Sequence, residues 1–219
     1  MSKLKYLLYA ILLFFPTYIL ALTYPNLHYS KSIIYDLTAD DTLYELNASE
    51  KTSIASLTKI LTVITALDYI DDLNTKITYT KEMQKLVNED TSKAGLKVGD
   101  IITYEDLLYA SILPSGADAT VMLALSLSPS LDDFVSLMNE KALSIGMTNS
   151  HFTNVIGLDD TNHYSTAQDI LTLLKYALNN PLFQKIYTTK EYTLTNALKV
   201  TTTLNHYNNS NLDLSSIIG

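Results

Sequence analysis

Ala55-Ser56-Leu57-Thr58-Lys59-Ile60-Leu61-Thr62-Val63-Ile64-Thr65-Ala66-Leu67 is the stretch around which the chain is organised. It opens with a serine and is apolar nearly all round, which is the pattern of a helix buried inside a domain. Ser56 and Lys59 are three positions apart, so a helix places them on one face, one turn apart. Burial disfavours the charged ammonium and lowers a lysine pKa. A neutral Lys59 could then take the proton of Ser56. By itself the tetrapeptide is weak and fits better a serine N-cap with a lysine reaching the surface. Ser2-Lys3-Leu4-Lys5 repeats the spacing in a segment that cannot be an active site.

Composition narrows the chemistry. The 219 residues are enough for one domain with its own core. Net charge is −8, all 15 basic residues are lysine, and no basic stripe lies beyond the N-terminus. Nucleic acid is therefore not an expected partner. There is no cysteine, which excludes thiol nucleophiles, disulfides and thiolate metal sites. Lys3 and Lys5 precede a charge-free run from Tyr6 to Leu22, the pattern of a secretory signal or an uncleaved membrane anchor. The expected division is 1–23 as that signal or anchor and 24–219 as an exported domain.

Ser32–Leu37 and Thr42–Leu46 read as a hairpin. The Ser56 helix should end near Asp71-Asp72. Leu96-Lys97-Val98, bracketed by Gly95 and Gly99, reads as a short strand. Thr103, Ser130 and Thr166 each stand as a helix cap with a carboxylate three residues on. Ala117–Leu127 is a further apolar helix, and the Thr166 helix should run to Asn179-Asn180-Pro181. Glu191–Leu194 and Lys199–Leu204 return to strand-like alternation. Strands at both ends with helices between them predict an α/β (α+β) fold, with one antiparallel sheet completed from both termini and flanked by helices.

Leu113-Pro114-Ser115-Gly116-Ala117-Asp118-Ala119 is the second informative stretch. Gly116 marks a tight turn that presents Ser115. Taken with Ala55–Ile60, this segment resembles the serine D-alanyl-D-alanine carboxypeptidases, the low-molecular-mass penicillin-binding proteins. Those proteins carry S-x-x-K, then S-x-N, then K-T-G. Gly95–Asp100, Gly146–Phe152, Gly157-Leu158 and His163–Ala167 resemble further segments of that family. The resemblance implies a β-lactamase/transpeptidase-like fold. It implies Ser56 as nucleophile, Lys59 as its general base and Ser115 as proton carrier to the departing D-alanine. Gly116 and Ala117 would lie against the substrate, and the Ser56 N–H would supply half of an oxyanion hole. The implied partners are a peptidoglycan stem peptide ending in D-Ala-D-Ala, β-lactam antibiotics and, through the N-terminal segment, the cytoplasmic membrane. No metal or cofactor is implied.

Two departures stand out. Ala117 occupies the place of the motif's Asn, whose amide would bond substrate and lysine. No K-T-G follows the second motif, and Ser215–Gly219 resembles the approach to it, so the expectation is a chain lacking its C-terminal strands. Two other readings compete. A class A β-lactamase would need a deacylating glutamate after the second motif, and neither Glu140 nor Glu191 has that context. A membrane-tethered protein that binds peptidoglycan without turnover would fit Ala117. His163 with Asp159 and Asp160 could suggest a metal, but reads more simply as polar loop residues.

Overall fold

A computed structural model describes residues 30–203. The chain divides into Met1–Ser30 and Lys31–Gly219, and the expected signal or anchor lies outside the described residues. Among the described residues, no single helix is long and apolar enough to cross a membrane.

Strand β1 (Ser32–Asp36) pairs antiparallel with β2 (Asp41–Leu46), as the hairpin pattern predicts. A 3-10 turn at Ala55–Leu57 leads into α1 (Thr58–Leu67). Strand β3 (Lys76–Thr78) and the short helix α2 (Lys81–Lys85) follow, then β4 (Ile101–Thr103), which pairs with β3. Helices α3 (Tyr104–Ile112), α4 (Ala117–Leu127) and α5 (Leu131–Ser144) form the middle of the chain. Helices α6 (Ala167–Leu178) and α7 (Pro181–Thr188) come next. The pair β5 (Glu191–Thr193) and β6 (Lys199–Thr201) ends the described region.

Helix α1 is the axis of the molecule. Every residue from Thr58 to Ala66 is buried, because α3, α4, α5 and α6 all pack on it. That explains an apolar pattern without a polar face: no side of this helix meets water. Each fully buried Leu, Val or Ile contributes about 1.5–3 kcal/mol relative to exposure.

The surrounding helices are placed by their caps. Thr103, Ser130 and Thr166 each accept from the backbone N–H three residues on, and Thr103 with Asp106 completes a reciprocal capping box. Pro181 starts a helix rather than marking a stop. Asn180 caps that helix by accepting from the N–H of Leu182 and of Phe183, and proline suits a first helical position.

Two further expectations are corrected. Leu96-Lys97-Val98 is not a strand. The Asp118 carboxylate accepts from the backbone N–H of Ala94, Gly95 and Leu96 at 2.7–2.9 Å, which takes donors that a strand ladder would need. The strands also do not join into one sheet among the described residues; they form three separate antiparallel pairs. β5 and β6 close on each other through a tight local turn containing Ala197 at φ 66°. The expected loss of C-terminal strands concerns residues outside those described.

Candidate active site

Ser56 sits in the 3-10 turn and Lys59 in the first turn of α1. The Lys59 amine donates to Ser56 Oγ at 3.0 Å and to the Ile156 carbonyl oxygen at 2.9 Å. Ser56 is exposed, whereas Lys59 is 3% exposed. Burial pushes the Lys59 amine down to about 8 from an ordinary 10.5. At pH 7 roughly one molecule in ten would then hold a neutral lysine, already on the serine oxygen.

The backbone is strained where the two candidate serines are presented. Ala55, directly before Ser56, has φ 45°, and Ser115 has φ 57°. Left-handed conformations at non-glycine residues cost on the order of 1–2 kcal/mol and cluster at functional sites. At Ala55 the strain is held by Gly157. A Cβ added to Gly157 would lie 1.9 Å from the Ala55 carbonyl oxygen and 3.0 Å from Thr58 Oγ1. Only glycine allows this approach, and its own φ of 89° suits glycine as well.

A cavity of about 360 Å³ opens in front of Ser56. Ser56, Lys59, Ser111, Ser115, Tyr187 and Thr203 contribute to its lining. The Ser111 and Ser115 hydroxyl oxygens are buried and have no hydrogen-bond partner in the protein. Thr203 is brought to the cavity by its N–H, which donates to the Leu113 carbonyl oxygen at 3.0 Å.

The structure thus brings Ser56, Lys59 and Ser115 to one cavity, but Gly116 and Ala117 are not among its lining residues. Gly116 is packed inward: a Cβ there would lie 2.6 Å from the Ala110 carbonyl oxygen and 2.9 Å from Ala94. Ala117 opens α4 with no exposed surface, and its N–H donates to the Ser92 carbonyl oxygen. The two residues join the wall behind Ser115 to the 92–96 segment. Asp118, 2% exposed, fastens the same segment.

Sequence reading assigned no role to the 154–158 segment that carries the Ile156 carbonyl. Asn154 Oδ1 accepts from the N–H of Ile156, Gly157 and Leu158 at 2.7–3.2 Å, which curls the segment toward α1. Gly157 was the available signal, as one of six glycines in the chain. His163 is 2% exposed, and both its ring nitrogens are engaged by protein groups, which leaves no lone pair for a metal.

A serine hydroxyl bonded to a buried lysine one turn away, on the entry to a core helix, defines the serine acyl-transfer proteins of the S-x-x-K type. The sequence pattern of the D-alanyl-D-alanine carboxypeptidases, peptidase S11, matches residues 20–217, and the chain belongs to that family. It is 32% identical over 188 residues to a D-alanyl-D-alanine carboxypeptidase of Streptomyces sp. (strain K15), covering 81% of this chain and 65% of that protein. It is 35% identical over 176 residues to the carboxypeptidase DacA of Haemophilus influenzae, covering 78% of this chain and 45% of that protein. The fold is similar to the crystal structure of the Streptomyces K15 DD-transpeptidase, with TM-score 0.74 and 30% identity over 83% of this chain and 74% of that one. It is equally similar to penicillin binding protein 5 from Haemophilus influenzae, with TM-score 0.74 and 29% identity, covering 83% of this chain and 54% of that one. The chain therefore spans less than two thirds of the length of these curated relatives.

Proposed function

We propose that this protein is a serine-type D-Ala-D-Ala carboxypeptidase that removes the terminal D-alanine from peptidoglycan stem peptides through a Ser56 acyl-enzyme. The observation that carries the reading is the 3.0 Å hydrogen bond from the buried Lys59 amine to Ser56 Oγ. Family membership fits the same chemistry.

In this reading neutral Lys59 takes the Ser56 proton as Oγ attacks the carbonyl carbon of the penultimate D-alanine. The Ser56 N–H lies at the open start of the 3-10 turn, where N–H groups lack partners within the turn, and it donates to the oxyanion. Collapse breaks the peptide C–N bond. The leaving amine takes its proton through Ser115, whose hydroxyl is free to turn toward it. Water, deprotonated by Lys59, then attacks the ester, and Lys59 returns that proton to Ser56 Oγ as the shortened peptide leaves. A β-lactam enters by the same attack, with its ring amide in place of the peptide bond.

Lys3 and Lys5, followed by a charge-free run to Leu22, support an exported protein whose 24–219 domain works outside the cytoplasmic membrane. The test is release of free D-alanine from a peptide ending in D-Ala-D-Ala. Release that requires Ser56 supports the proposal. Release that persists in Ser56→Ala, or no release at all, opposes it.

A further inference from the structure

His163 is a buried titratable group that the chemistry above does not use. Its surroundings fix its state. The Thr153 backbone N–H donates to Nδ1 at 3.1 Å, and the Asn154 side-chain amide lies 3.3 Å from the same nitrogen. A backbone N–H can only donate, so Nδ1 is unprotonated and the ring proton sits on Nε2. Nε2 then donates to Thr58 Oγ1 at 2.8 Å. Phe152 packs edge-on against the ring, with centroids 5.5 Å apart.

The two ends of this imidazole reach the two supports of Lys59. One is Thr58, the residue before Lys59 and the first of α1. The other is the 153–158 segment, which offers the Ile156 carbonyl oxygen to the Lys59 amine. Gly157, between them, touches both Ala55 and Thr58. Lys59 itself and Thr62, which donates to the Val155 carbonyl oxygen, also join α1 to the segment.

We propose that His163 is a positioning residue for acylation: its neutral, Nε2-protonated ring ties Thr58 to the 153–158 segment and so fixes the Lys59 amine on Ser56 Oγ. The inference rests on the reading of Lys59 as the base for Ser56. Protonation would put a second N–H on Nδ1, facing the Thr153 N–H and the Asn154 amide, and the clamp would open. The charged and titratable groups around the ring are Asp159 and Asp160 on its own loop and His151 on the preceding segment. Lys59 lies on α1, and Lys51 and Tyr164 line the adjoining groove. Burial of the ring outweighs the two aspartates and holds its pKa below the ordinary 6.5.

The test compares His163→Leu, which removes both hydrogen bonds, with His163→Gln, whose amide can donate toward Thr58 but does not titrate. Two quantities are measured across pH 5–10: the rate of Ser56 acylation by a penicillin, and the titration of the Lys59 amine by NMR of labelled lysine. Wild-type acylation should fall tenfold per pH unit below about 8 and more steeply once His163 protonates. His163→Leu should acylate at least tenfold more slowly, with the Lys59 titration moved upward by about one unit as water enters. His163→Gln should stay within about threefold of wild type at pH 7 and lose the steeper acid limb. Wild-type behaviour of His163→Leu in both measurements would overturn the proposal. So would a folded His163→Gln as impaired as His163→Leu. If His163→Leu does not fold, the acid limb of wild type against His163→Gln decides. If wild type is never labelled at Ser56, the proposed function fails, and the Lys59 titration still decides whether His163 sets its environment.

Discussion

Lys59 and Ile156 lie 97 positions apart, and the lysine amine donates to the Ile156 carbonyl oxygen at 2.9 Å. That bond gives a buried ammonium its second partner. Polar partners offset a desolvation cost of several kcal/mol for a buried charge, and without this one the amine would keep its bond to Ser56 Oγ alone. The carbonyl fixes the amine from behind while Ser56 Oγ stands in front of it. The Ser56–Lys59 geometry depends on a segment far away in sequence, bonded by Asn154 and His163 and packed through Gly157.

Lys59 should leave a pH signature on stability. Its pKa is about 8 folded and 10.5 in an ordinary setting. Between these values the unfolded chain binds the extra proton, so stability rises with pH through that window; below about 8 both states are protonated and the burial penalty is constant. The shift corresponds to about 3 kcal/mol. Denaturant unfolding of Lys59→Met and wild type should therefore show a difference that moves by about this amount in favour of wild type between pH 7 and 10.5. A difference independent of pH would mean that Lys59 is not desolvated as described.

Gly157→Ala should be among the most damaging single-methyl changes in the molecule. The new Cβ would fall 1.9 Å from the Ala55 carbonyl oxygen, and the backbone there has φ 89°. Neither the carbonyl nor the turn can yield without moving Ser56. The expected loss is about 2–4 kcal/mol, with Ser56 acylation slowed at least tenfold. A thermal melt and a labelling rate close to wild type would show that the Ala55 turn is not held from this side.

Asp118→Asn tests the wall behind Ser115. The carboxylate accepts from the N–H of Ala94, Gly95, Leu96 and Ala119. An amide turns one acceptor atom into a donor facing N–H groups. A loss of about 2–3 kcal/mol is expected, with faster hydrogen exchange at the Ala94, Gly95 and Leu96 amides. Unchanged exchange at those three amides would contradict the assigned role.

Much of this was legible in residue spacing. A serine and lysine three apart in an apolar run gave the helix and the contact between them. Thr103, Ser130 and Thr166, each with a carboxylate three residues on, located three helix starts, because a cap is local chemistry. The failures were non-local. Leu96–Val98 has strand-like residues between two glycines, but Asp118, more than 20 residues downstream, takes the Leu96 N–H and Asp100 takes that of Lys97. Helix α7 was missed because proline stops a helix when it follows one and starts a helix when an Asn180 cap precedes it. The Ile156 carbonyl has no signature at all, since every residue has one. His163 read as a polar loop residue because its partner, Thr58, lies 105 positions earlier.

The most direct measurement is mass spectrometry of the protein after exposure to a penicillin, with peptide mapping and a labelling rate taken from pH 6 to 10. One penicilloyl group is expected on the peptide containing Ser56, with none in Ser56→Ala. The rate should climb through about pH 8 as Lys59 loses its proton. Label on another residue, label that survives in Ser56→Ala, or a rate indifferent to pH across that range would contradict a serine activated by a buried lysine.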